Sequence, residues 1–263
     1  MADTTMTPIR GEIWRFPPLR TGQLLARTLR SVVDAAPRLW RLWLVWLAVN
    51  AVGVTCMIGL AVEGQPTPFA SYVAFLVVVG AVWAVLTAAC LPTFLALPRR
   101  AFRFDRRFGA YAIVTTGLLL LDGAPMSALA NRAADNGATP EGLYFIWFWG
   151  EKLWWLILLW PLSRLALWPL IRLLGTTNNA AGFSWKAMRG GVAPYVVAYV
   201  ALSAVPYLIN EATWMGYWAH KNPLWLVPIV VVGTAWDIVL TALAATLYRA
   251  RLGEAERVSD VFD

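Results

Sequence analysis

The sequence predicts an all-α polytopic membrane protein with six transmembrane helices and an amphipathic interfacial helix before the first. Three observations predict it. Of 263 residues, 59% are hydrophobic and 14% charged, whereas a soluble domain carries about 25% charged residues. The apolar residues gather in charge-poor stretches long enough to cross a hydrocarbon layer, which takes about 20 residues. Lys and Arg fall on alternate connections between those stretches. With only 2 Cys and this little charge, a soluble enzyme, a disordered chain and a disulfide scaffold are all excluded.

Residues 1–20 are expected to be a flexible cytoplasmic N-terminus. Residues 21–38 read TGQLLARTLRSVVDAAPR. Helical spacing puts Arg27, Arg30, Asp34 and Arg38 on one face and Leu25, Leu29, Val32 and Ala36 on the other. A basic amphipathic helix of this kind lies in the headgroup region, and Pro37 stands where it would meet the first span. No apolar core precedes a small-residue cleavage site in the first forty residues, so the first span is expected to direct insertion itself.

The six-helix transmembrane domain is expected over residues 39–252, with 253–263 as a cytoplasmic tail. Its first span is 42–62, charge-free between Arg41 and Glu63. The second is expected over 69–97 and the third over 108–131, interrupted only by Asp122. For the fourth, GLYFIWFWG is followed by Glu151 and Lys152. A helix over 152–171 keeps both charges out of the bilayer centre. It also leaves Tyr144, Trp147, Trp149, Trp154 and Trp155 at an interface, where aromatic rings are enriched. The fifth and sixth spans are 192–209 and 224–248, the last carrying Asp237.

Orientation follows from the basic residues. Arg10, Arg15, Arg20, Arg27, Arg30, Arg38 and Arg41 precede the first span, and Arg99, Arg100, Arg103, Arg106 and Arg107 lie between the second and third. Arg172, Lys186 and Arg189 follow the fourth, and Arg249, Arg251 and Arg257 follow the sixth. Only Arg132, Lys152 and Lys221 fall on the other side, with Arg164 inside a span. The positive-inside rule then places both termini in the cytoplasm of a cell membrane. The net charge of +7 is a consequence of topology. It implies contact with anionic headgroups, chiefly through Arg27, Arg30, Arg38, Lys186 and Arg189, and not nucleic-acid binding.

Basic-aromatic segments precede the odd-numbered spans, including FSWKAMR before the fifth with Pro194 after it, so the chain reads as three hairpins. Cys56 and Cys90 fall at different depths and are not expected to pair. Gly80, Ala84 and Ala88, and likewise Ala242, Thr246 and Ala250, share helix faces in the small-xxx-small pattern that lets backbones approach.

Ionisable groups at membrane depth are costly and find a partner or line a wet cavity. Asp122, Lys152, Arg164 and Asp237 form the candidate intramembrane polar site. Rise per residue puts Arg164 and Asp237 at nearly one depth, predicting an ion pair, and gives Asp122 to Lys152. Buried pairs that only fix helix register are the weightier alternative to a substrate or proton path. Asp122-Gly-Ala-Pro125 could break the third helix and free carbonyls. His220, the single histidine, lies in an outer loop with no second ligand nearby. The sequence carries no zinc, nucleophile-elbow or phosphate-loop motif, so no catalytic residue, metal or cofactor is expected.

The Arg-rich N-terminus, six spans with basic-aromatic segments before odd helices, and a last helix ending TALAATLYRARLGE resemble a group of bacterial six-helix proteins. These are related to the membrane domain of glycerophosphoryl diester phosphodiesterases. The resemblance covers 21–252 and is most specific at 244–249, with Tyr248. It implies a membrane role, and it carries over no catalytic residue, because a separate soluble domain does the chemistry in those enzymes. The sequence therefore favours a non-catalytic accessory or scaffold component of a membrane complex, with lipid and other membrane proteins as partners. The first alternative is a transporter or flippase-like handler of lipids or small amphiphiles, the second a membrane-embedded enzyme acting on lipid.

Overall fold

A computed structural model describes residues 14–60, 67–97, 104–175, 177, 179–253 and 256–257. Arg10, Arg99, Arg100, Arg103 and the end of the expected tail lie outside them. Among the described residues six helices are long and apolar enough to cross a membrane, and the protein is an all-α, multi-pass membrane protein.

Helix α1 (Thr21–Leu60) is one rod of 40 residues, about 60 Å long. The amphipathic segment is helical, as expected, but it is not a separate interfacial helix: the rod runs unbroken through Pro37 into the first span. Its buried stripe also differs from the expected one. Leu24, Thr28, Ala35 and Leu39 are buried, while Leu29 is 50% exposed. The arginines mark which side faces out, but two apolar flanks adjoin it, and the neighbouring helices decide which is covered.

Helices α2 (Phe69–Phe94) and α3 (Arg106–Asp135) form the next hairpin. The Asp105 carboxylate accepts from the amides of Arg107 and Phe108 at 2.9 and 3.1 Å, satisfying two donors that a helix start leaves free. The expected small-residue seam closes this hairpin. Gly80 and Ala84 are buried, and a Cβ at Gly80 would stand 2.8 Å from Thr116 Oγ1. Helix α3 stays unbroken through Pro125.

The break falls in the fourth span instead. Helix α4 (Pro140–Phe145) leads through a π-turn (Ile146–Gly150) into α5 (Glu151–Arg164), which stops; α6 (Trp168–Leu174) then begins with Pro169 in its first turn. Proline suits that position, where no backbone donor is needed. Leu165 N–H closes α5 onto Pro161 and Leu162 carbonyls at 3.1 Å, and Ser184 Oγ donates to the freed Arg164 carbonyl at 2.9 Å. At the end of α6, Gly175 adopts a left-handed conformation (φ 66°). The Arg107 guanidinium lies where a side chain on Gly175 would stand.

Helix α7 (Ala180–Ala187) carries the basic-aromatic segment expected before the fifth span. That span, α8 (Val192–His220), runs well past residue 209, and a 3₁₀ turn (Pro223–Trp225) leads into α9 (Leu226–Tyr248). Its core divides in two. One cluster joins Ala35, Leu39 and Trp46 of α1 to Ala84, Ala88 and Leu91 of α2 and Ile238 and Ala242 of α9. A second joins Leu24 to Leu167, Ile171, Ala187, Met188 and Leu247 at the basic end of the bundle.

The chain before α1 belongs to this base. Phe16 and Leu19 pack on the second cluster, and Trp14–Arg15 pair antiparallel with Glu256–Arg257. From Trp14 on, the segment expected to be flexible is held by these contacts. Arg251, counted with the basic residues that follow the last span, is 2% exposed. It donates Nε to Ala187 O at 2.8 Å, Nη2 to Arg189 O at 2.7 Å and Nη1 to Pro17 O.

Candidate functional site

A cavity of about 480 Å³ lies inside the bundle, walled by α1, α2, α3, α5, α6, α8 and α9. Leucine is the commonest residue on the wall. Its polar groups are Asn50, Thr87, Tyr111, Thr115, Asp122, Ser163, Tyr195, Tyr199, Asp237 and Thr241. The helix break contributes Leu165, Ala166 and Pro169, consistent with the rule that irregular backbone at membrane depth lines a cavity or is covered by protein.

Asp237 is held from α1. Asn50 Nδ2 donates to Asp237 Oδ2 at 3.1 Å and to Thr234 Oγ1 at 3.0 Å, and the indoles of Trp46 and Trp83 lie beside the same carboxyl. Below it, the Tyr111 and Thr87 hydroxyls meet at 2.5 Å, and Thr87 Oγ1 lies 2.9 Å from the Trp83 carbonyl. On the opposite wall Trp155 stacks on Tyr199 at 5.6 Å, and Tyr195 lies 6.2 Å from Tyr199. Trp154 Nε1 donates to the Leu121 carbonyl at 2.9 Å, tying α5 to α3 next to Asp122.

Of the four expected polar-site residues, Asp122 and Asp237 share this cavity and the two basic ones do not line it. The predicted Arg164–Asp237 pair is absent. At the helix break Arg164 turns toward α7: Nη1 donates to the Trp185 carbonyl at 3.2 Å, and its guanidinium sits 5.4 Å from both the Trp160 and Trp185 rings. Lys152 does not pair with Asp122 either. Its Nζ lies 4.0 Å from Glu211 Oε1 and 5.5 Å from the Tyr207 ring, because α8 continues far enough to bring Glu211 alongside. Glu151 faces this outer group and lies within electrostatic reach of Asp122.

The sequence reading missed Asn50, Tyr199 and Glu211, and it gave Trp155, which lines the cavity, to an interface. An asparagine inside an otherwise apolar span is the one signal that could have found Asn50. The expected headgroup residues Arg27, Arg30, Arg38, Lys186 and Arg189 are all exposed. Cys56 is exposed and Cys90 buried, and both are free. His220 ends α8 with its ring stacked on Trp225 at 6.1 Å. Among the described residues no group of three or more His, Cys, Asp or Glu could hold a metal ion. Compared with family models, curated proteins and solved structures, the chain gives no significant match, so the site stands on its own geometry.

Proposed function

We propose that the protein accepts a small amphiphile or lipid chain in the interhelical cavity and hands it on within the membrane. The single observation that carries this is a cavity of about 480 Å³ reaching both Asp122 and Asp237. Pockets for drug-sized ligands run from about 300 to 1,000 Å³, mostly apolar with a few placed polar groups, and this one fits both descriptions. A solid bundle would have favoured the accessory role instead. Its best support is the set of outward tryptophans, Trp40, Trp149 and Trp160 among them, which suit lateral contact with other membrane proteins. The exposed arginines of α1 and the α7 region support contact with anionic headgroups and a cytoplasmic position for the basic end.

Photolabelling tests the reading. An octyl alcohol bearing a diazirine is irradiated with the full-length protein in uncharged maltoside micelles, and adducts are mapped by peptide mass spectrometry. Adducts at the cavity residues Leu118, Leu162 and Tyr195 are expected, and Ala166→Phe, which puts a ring into the cavity, should reduce them several-fold. Adducts confined to outward residues such as Val78, Ile113 and Ile157 would sink the proposal.

A further inference from the structure

We infer that the occupant of this cavity is a cation with an apolar body, an amine or quaternary ammonium whose charged group sits at Asp122. This rests on the cavity reading above and specifies the ligand's chemistry. Among the described residues no Lys, Arg or His lines the cavity, while two carboxylates do. They are not equivalent. Asp237 receives the Asn50 amide, but no described residue gives the Asp122 carboxylate a hydrogen bond or a salt bridge; the basic group expected for it, Lys152, is engaged with Glu211. A carboxylate at membrane depth is costly unless something of opposite charge meets it.

The surroundings select among possible cations. Trp155, Tyr195 and Tyr199 line the same cavity, with Trp155 stacked on Tyr199, and Tyr199 is within electrostatic reach of Asp122. Aromatic faces attract ammonium groups and are the recognised way of holding quaternary ones. A second polar group also waits for a partner. The Thr115 hydroxyl on the cavity wall is 6% exposed and makes no hydrogen bond of ordinary geometry, its neighbour the Tyr111 hydroxyl being engaged with Thr87. It can accept from an N–H of an amine that reaches it. The leucines around these groups suit an aryl or short alkyl body, and a small metal ion would leave most of the wall unfilled.

The test is competition against the diazirine photolabel with two isosteric probes, benzyltrimethylammonium and its uncharged carbon analogue neopentylbenzene. The cation is expected to suppress cavity adducts at a concentration at least tenfold lower than the hydrocarbon. Asp122→Asn should erase that preference, and Asp122→Glu should keep it. Equal competition by the two probes in a cavity that still labels would overturn the inference, giving a neutral occupant and a protonated Asp122, and would leave the cavity reading standing. A preference for the cation that survives Asp122→Asn would overturn the assignment to that residue. Loss of cavity labelling altogether belongs to the earlier test and fails the earlier proposal.

Discussion

Arg251 ties three stretches of backbone at the basic end through the carbonyls of Pro17, Ala187 and Arg189. Hydrogen bonds to a charged group contribute about 1.5–3 kcal/mol each, and orphaning their partners adds a desolvation cost. Arg251→Leu should therefore destabilise the protein by about 2–4 kcal/mol, and Arg251→Lys by less, since one ammonium can serve only part of the fork. Melting temperatures in micelles give the order. Faster proteolysis near residues 14–20 should accompany the loss, and an unchanged melt for Arg251→Leu would remove the clamp from the account. Nothing in the sequence separates this arginine from its neighbours, because counting charges treats every one as solvated. Asn50 and Asp237 make a second residue-scale case. Asn50→Ala and Asp237→Asn should each lower the melting temperature, and the double variant should fall short of their sum by about 1 kcal/mol of coupling. Strict additivity would mean that the amide and the carboxyl do not interact.

At the scale of elements, the α2–α3 contact turns on Gly80. With Thr116 at 2.8 Å from the position of a Cβ, Gly80→Ala must push the helices apart at a cost of about 1–3 kcal/mol. Adding Thr116→Ala should restore only part of the loss, since the Thr116 backbone itself stands at 3.1 Å. Gly53→Ala, with open space around it, should cost nothing and serves as the control in the same thermal melts. This seam was legible because its signal, small residues every fourth position, is local. The break in the fourth span was less so. Pro161 and Pro169 flank it, but proline also occurs inside unbroken α1, α2, α3 and α8. Whether a proline ends a helix depends on packing that the sequence does not show: here the Ser184 hydroxyl takes up the Arg164 carbonyl that the end of α5 leaves free.

At the scale of the molecule, six spans could be read from composition alone because a hydrocarbon layer imposes length and apolarity on whatever crosses it. The pairing of intramembrane charges could not. Depth along a helix follows from counting residues, whereas the direction a side chain faces depends on packing, and the break aims Arg164 at α7 instead of α9. Counting did bring Asp122 and Asp237 into view as candidates, but not the void they share, which arises from how seven helices fail to meet. The proposed orientation is tested with one added cysteine at a time in a Cys56→Ala background, where the remaining Cys90 is buried. On intact cells a membrane-impermeant maleimide should label Asp135→Cys, and label Arg30→Cys only after lysis. The reverse pattern would invert the molecule in its membrane.

The unbroken length of α1 has a mechanical consequence. One rod of about 60 Å contributes Leu24 to the base and Asn50 to the cavity wall, with no joint between them. Swivelling it by about 5° around its last turn carries its first turn, at the base, through about 5 Å. Any rearrangement that follows the occupant at Asn50 and Asp237 is thus delivered to the opposite surface as leverage, where a spin label on the outward face of the first turns would feel it.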